Sequence, residues 1–361
     1  MFSLQQELAS PLFGNKKEME ASGDYRELER LLELLTRTKE DSQQRNWMLY
    51  EDESFILANL ATLGQTLQNA SQDVCLLVLA RFQYHYVQSL VEYYQMETRW
   101  TIRRLLIETY TVMCSLDPAI ISLMLVSVLP LELAQDMFEN AGDEERLRHS
   151  AVLLTILFSQ GEAVPVHYSE QQLGESLVSF LLDRVEQAAS DADPGLADSF
   201  LGLLASYNLQ FPHQPDNIVL QCLARASSAK IFTEKLLLLL NREEDPAELL
   251  RPRPPGLPSS THKLVLDVFS CPDCAAHFYT NDMMVLLDIT ARQLADLPPG
   301  QERYFYLELV QLVLGRPEYS EHRHRERDLR DCLHRIRDRE EAESIDRTKA
   351  AEICQAFPAL Q

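Results

Sequence analysis

Leucines recur at helical spacing through most of this 361-residue chain. Between Asp24 and Glu40, the residues Leu28, Leu31, Leu32 and Leu35 share one face of a 3.6-residue period and predict an amphipathic helix. The polar stretch Asp41 to Asn46 interrupts it, and Leu57, Leu60, Leu63 and Leu67 mark a second helix from Glu53 to Asn69. The richest pattern runs from Phe278 to Pro298. Thr280 and Asn281 are polar residues able to cap a helix. Met283, Leu286, Leu287, Leu294 and Leu297 then form one apolar stripe, which Val285 and Ile289 widen until the helix should be buried on most sides. Asp288, Arg292 and Asp296, four residues apart, make an acid–base–acid ladder on the polar face that remains. Pro298, Pro299 and Gly300 end the helix.

Start signals recur along the rest of the chain. Asp117-Pro118, Asp193-Pro194 and Asp245-Pro246 each pair an N-cap acid with a proline at the first helical position. Ser169 with Gln172 fits a capping box. The apolar run from Ala119 to Leu133 is broken by Pro130, which suits a pair of core helices and is too short for a membrane span. Residues 1–22 show no clear periodicity and are expected to be a flexible lead-in. No segment shows sustained alternation of β-branched residues, and only 11 residues are glycine. The fold class is therefore all-α, with about fifteen helices spaced for antiparallel pairs or triplets. No clean internal repeat is visible, so periodicity alone leaves a bundle and a solenoid equally open.

The block from Phe278 to Pro298 resembles the signature of the leucine-rich carboxy-terminal domain of the WISH/DIP/SPIN family, which includes the NCK-interacting protein with an SH3 domain. The resemblance is sharpest from about Leu264 to Leu314 and weaker over roughly residues 50 to 355. It implies an armadillo-like helical solenoid, forming a single domain over residues 23–361. It also implies a protein that binds and activates the actin-related protein 2/3 complex, and so acts on actin indirectly, starting linear filaments without a preformed one. Members of the family also carry an amino-terminal SH3 domain and a proline-rich middle, neither of which is found here; the chain looks like the carboxy-terminal part of a longer protein or a short isoform. The signature segment, with Asn281, Asp282, Asp288 and Arg292, is the expected partner-binding site. Each of the four also has a plain structural role open to it: Asn281 and Asp282 as caps, Asp288 and Arg292 as an intrahelical pair.

Charge narrows the partners. The net charge is −22, so a phosphate backbone or an anionic membrane surface would be repelled. From Arg316 to Lys349 ten basic residues balance ten acidic ones, which leaves nearly all the excess acid before Gly315. The acidic part could steer basic partner surfaces. That supports a rival reading, a generic helical-repeat adaptor for basic peptides or cargo. The long mixed-charge carboxy-terminal helices could pair two chains as a homodimer.

Candidate chemistry is sparse. Cys271, Cys274 and His277 have zinc-like spacing, but a fourth ligand, such as His262 or Cys222, would have to come from elsewhere in the fold. A turn ahead of the Phe278 block explains them better, and no metal or cofactor is expected. His322, His324 and His334 lie among interleaved acids and read as a solvated, ion-paired helix face. Tyr84, Tyr86, Tyr93, Tyr94, Trp100 and Tyr110 suit a core between helix layers more than an interface. Residues 251–260 hold four prolines, with Pro-x-x-Pro at 252/255 and 255/258, and form an exposed loop that could recruit an SH3 domain. There is no Gly-rich phosphate loop, no G-x-S-x-G elbow and no H-E-x-x-H, so no enzyme is indicated. Seven cysteines, an odd count with no signal peptide in view, point to a reducing, cytoplasmic setting, with cytoskeletal association following from the resemblance.

Overall fold

The computed structural model describes residues 16–45, 50–169, 172–187, 194–212, 214–339 and 344–357. Among these it holds 22 α-helices and no strand, so the all-α expectation stands. The surplus over about fifteen comes largely from pieces of four to six residues such as Val166–Ser169, Pro246–Leu250 and Pro272–Ala275, which are too short to show a period. The chain divides into two compact units with the boundary at Gln160/Gly161.

In the first unit Glu53–Asn69, Trp100–Leu116 and Glu144–Phe158 stack in that order, and Gly23–Arg45, His85–Met96 and Leu129–Glu139 stack beside them. The first three begin 47 and 44 residues apart, the period of an armadillo-type repeat. The short helices Gln72–Leu79 and Pro118–Leu125 complete the layers. Leu28, Leu31, Leu32 and Leu35 are buried as the periodicity requires, but their helix continues to Arg45, through the polar stretch expected to break it. Charged side chains do not stop a helix whose apolar face is already packed. Lys16–Ala21, within the expected lead-in, is helical as well; residues 1–15 lie outside the described residues. The stripe of Glu53–Asn69 runs through Ile56, Leu60, Leu63 and Leu67, with Ile56 in place of Leu57. Pro130 sits in the first turn of Leu129–Glu139, 64° from the axis of Pro118–Leu125, and no single described helix is long and apolar enough to cross a membrane.

Four of the six clustered aromatics are core, while Tyr84 and Trp100 are half-buried. Tyr86, Tyr93, Tyr94 and Tyr110 are buried, and Tyr110 donates to the Leu90 carbonyl at 2.6 Å. Arg103 lies 4.5 Å over the Tyr94 ring and donates to Asp136 at 3.0 Å, while Arg146 approaches the same carboxylate at 3.9 Å. Four helices, His85–Met96, Trp100–Leu116, Leu129–Glu139 and Glu144–Phe158, are thus tied by one largely buried polar cluster.

In the second unit Glu175–Gln187, Lys230–Arg242, Thr280–Asp296 and Glu326–Arg339 form one stack. Pro194–Asn208, Ser260–Ser270, Gln301–Leu314 and Ile345–Ala356 form the other. Layer on layer is the packing an armadillo-like chain needs. Asp117 and Asp245 cap as expected, accepting from Ala119 and Ala247 at 2.8 and 3.1 Å. Asp193 lies outside the described residues. Ser169 ends a helix rather than starting one. Asp245 does more than cap: it also accepts from the Ser260 amide at 2.9 Å and from its hydroxyl, so one carboxylate joins both ends of the proline-rich loop. Leu329, Cys332, Leu333 and Ile336 are buried on one face of Glu326–Arg339.

Candidate partner-binding site

Thr280–Asp296 is the centre of the second unit's first stack, and its polar residues reach outward to both neighbours. Asp282 caps the helix, as its structural role allowed, but the N-cap residue is neither Thr280 nor Asn281. Tyr279 occupies the N-cap, and Asp282 reaches back to accept its amide at 3.0 Å. Asn281 is exposed at the second helical position and caps nothing. A carboxylate in the first turn also meets the positive end of the helix dipole, which favours Asp282 in this role.

The expected ladder does not form either. Asp288 turns away from Arg292 toward the next layer, where Arg325 Nε donates to it at 2.6 Å and His324 Nε2 lies 2.8 Å away. Partial burial works against the Asp288 charge, but the hydrogen bonds from Arg325 and His324 outweigh it and hold the carboxyl below its ordinary range. Arg323 and Arg325, with φ of +46° and +57°, are left-handed non-glycine residues on either side of His324. That tight connection costs roughly 1 kcal/mol or more per residue and aims the Arg325 guanidinium and the His324 ring back at Asp288. Arg292 turns the other way and donates to the Asn241 carbonyl at 3.2 Å, at the end of Lys230–Arg242. A cation at a helix C-terminus satisfies a free carbonyl and the dipole together. Gln293 adds a 2.6 Å bond to Glu243 in the same preceding layer.

Asp288 and Arg292 are therefore struts across three layers, one turn apart on one helix and facing opposite neighbours. The groove between Thr280–Asp296 and Glu326–Arg339, of about 550 Å³, is lined by Asp288, Arg292, Arg325, Asp328 and Arg335. Beside it an apolar groove of about 200 Å³ is lined by Phe278, Met283, Met284 and Tyr319. Val285, expected in the buried face, is 47% exposed, and Tyr279 66%. The helix buries Leu286, Leu287, Ile289, Thr290, Ala291, Gln293 and Leu294. It keeps an accessible face with mixed charge next to apolar surface, which is how protein contact surfaces are built.

Residues 193–329 match the family described as the SPIN90/Ldb17 leucine-rich domain. This segment is a SPIN90/Ldb17 leucine-rich domain. The chain is also similar to Protein LDB17 of Eremothecium gossypii, at 26% identity over 211 residues. That alignment takes in 53% of this chain and 42% of the relative, so the chain spans less than half of the relative's length.

The leucine-rich domain includes all four expected site residues and also two that sequence reasoning passed over as surface charge, His324 and Arg325. Their signal was present but weak, a basic pair ahead of a helix, hidden by the acids around it. The Asn241 carbonyl left no signal, because a backbone oxygen has no residue type. Cys271 and Cys274 lie beside each other, but His277 does not join them in a three-ligand group. Cys274 donates to the Leu220 carbonyl at 3.2 Å and His277 Nε2 lies 2.9 Å from the Leu223 carbonyl, so both are tied to the backbone of Ile218–Arg225. Among the described residues no group of three or more His, Cys, Asp or Glu side chains is arranged to hold a metal ion. In the proline-rich loop Pro252, Pro255 and Pro258 are exposed. The backbone turns at Pro255-Gly256, where Leu257 donates to the Pro254 carbonyl at 3.3 Å and Gly256 takes φ +86°. Pro252 precedes the turn and Pro255 is its first corner, whereas the 255/258 pair spans it.

Proposed function

We propose that the chain is a non-enzymatic, actin-associated adaptor whose leucine-rich domain binds and activates the actin-related protein 2/3 complex, so that linear filaments start without a preformed one. The observation that carries this reading is the family match over residues 193–329, a family of actin-associated adaptors. The cross-layer struts support it. Activation demands that the domain bind the active arrangement of its partner more tightly than the inactive one. A surface held by side chains that join three helix layers is preformed, and little ordering entropy is lost on binding. Asp288, Arg292 and their neighbours Asn281 and Asp282 are the contact residues of choice. A cytoplasmic, cytoskeleton-associated location follows from the same reading, and an SH3 domain docking at Pro252 to Pro255 is compatible with it.

The test is bulk actin assembly followed by fluorescence, with and without the actin-related complex and with no branching activator. Faster assembly only when both the complex and this chain are present is expected. Assembly unchanged by the chain sinks the proposal. The rival, an adaptor for basic peptides, is favoured by the net charge of −22. It predicts binding to Lys/Arg-rich tails that weakens steeply with salt.

A further inference from the structure

A second site lies in the leucine-rich domain, behind the proline-rich loop. A cavity of about 170 Å³ opens where Lys230–Arg242 ends. Five carboxylates line it: Glu243, Glu244, Asp245, Glu248 and Glu302. Among the lining residues one guanidinium, that of Arg253, answers them, 3.3 Å from Glu302 and 3.7 Å from Glu248, and from outside the lining Arg242 approaches Glu244 at 4.0 Å. Arg292, on the neighbouring helix, has its guanidinium committed to the Asn241 carbonyl. Burial lowers the proton affinity of His262, which stacks on Phe305 at 3.8 Å with its Nδ1 3.1 Å from Glu302, so it adds no positive charge near neutral pH. The C-terminus of a 13-residue helix adds further negative potential.

Negative lining alone would be an ordinary acidic surface. Tyr306 makes it a site. Its ring is 1% exposed and lines the cavity, yet its hydroxyl has no hydrogen-bond partner. A buried hydroxyl left unpaired costs roughly 1–3 kcal/mol, and a donor entering the cavity would recover it. The remaining wall is apolar, formed by Leu239, Leu240 and Leu297.

We infer that this cavity binds a primary alkylammonium, with the methylene stem along the leucines and the head among Glu243, Glu302 and the Tyr306 hydroxyl. An ammonium offers three donors to three such acceptors, and its stem is the kind of chain that packs on apolar surface. The chemistry is that of a lysine side chain on a partner, and also of a free diamine. The site does not depend on actin-related activity and its test is separate.

The experiment is titration of the full chain with pentylamine, followed by methyl NMR. Saturable shifts confined to the leucine methyls of residues 239, 240 and 297 are expected, with none from 1-pentanol. Tyr306→Phe removes one oxygen and no packing volume, and should weaken binding about tenfold. Glu302→Gln should weaken it as well, while Glu53→Gln, a charge change in the other unit, should not. Titration with cadaverine and with an N-acetylated, C-amidated lysine separates the sources: tighter binding of the lysine derivative assigns the site to a partner protein, tighter binding of cadaverine to a free polyamine. Absence of saturation, an equal response to 1-pentanol, or unchanged affinity in Tyr306→Phe overturns the inference.

Discussion

The Arg103–Asp136 cluster of the first unit and the Asp288–Arg325 cluster of the second do the same structural task at opposite depths. Each ties successive helices with a carboxylate facing arginine. The first is buried, with Asp136 at 3% and Arg103 at 14% side-chain exposure; the second is open, at 45% and 46%. Burial reverses the electrostatics. Desolvation raises the Asp136 pKa despite Arg103 and Arg146 beside it, whereas at Asp288 the hydrogen bonds win and the pKa falls. A buried strut is bound to the fold and would be costly to expose. An open strut contributes little to stability and leaves its charges available to another protein.

The largest effect expected from that contrast is in stability. Arg103→Met leaves the buried Asp136 charge with only Arg146 at 3.9 Å and the Asn140 amide at 3.3 Å, and should cost about 3 kcal/mol in chemical denaturation. Adding Asp136→Leu should recover most of that loss, because an apolar pair of similar volume avoids the desolvation penalty. If the double variant is no more stable than the single one, the cluster's value lies in its geometry and the comparison is wrong.

Next comes activation. Arg292→Glu reverses a charge at the exposed site and should reduce complex-dependent actin assembly several-fold while the far-UV circular dichroism and melting curve stay near wild type. Unchanged assembly removes Arg292 from the contact surface, and gross unfolding makes its tie to Asn241 the larger role.

The third effect is pH dependence, and the two carboxylates carry opposite signs. Asp136 has a raised folded-state pKa, so the native chain takes up its proton first on acidification and this group favours folding as pH falls through that raised value. Asp136→Asn should therefore make acid destabilisation steeper. Asp288 has a lowered pKa, so its contribution is present above the ordinary carboxylate range and is lost as pH falls through the depressed value. Asp288→Asn should make acid destabilisation shallower. Stability measured from pH 7 down to pH 3 checks both signs at once.

The smallest effect concerns stability at the open strut. Asp288→Ala should cost less than about 1 kcal/mol near neutral pH, as exposed pairs do, and less again at high salt. A loss of several kcal/mol would mean that the exposed cluster supports the layers as strongly as the buried one.

The same contrast explains what could be read in advance. Leu28, Leu60 and Leu286 were placed correctly as core because their neighbours on the helix face lie within eight residues. The 47- and 44-residue spacing of the first unit stayed hidden: a repeat held by equivalent packing needs only apolar volume at equivalent places, and many side chains supply that. Val285 was misjudged because an apolar residue may remain exposed without penalty to the fold. Asp288 and Arg292 were named as site residues but given the wrong partners, since i to i+4 spacing makes a pair available without making it the best one. The cavity at Tyr306 had no pattern to reveal it, as its walls come from Leu239 to Glu248, the proline-rich loop, Thr280–Asp296 and Gln301–Leu314.

The order of the residues was enough to decide that this chain is helical, where several of its helices begin, and which family its signature segment resembles, because helix formation and capping are settled by neighbours a few positions apart. Only the tertiary structure decided that Asp288 would meet Arg325, 37 residues on, and that Arg292 would meet the Asn241 carbonyl, 51 residues back. Those choices depend on how layers stack. A charged side chain takes the partner that packing brings within about 3 Å, and sequence distance does not measure that.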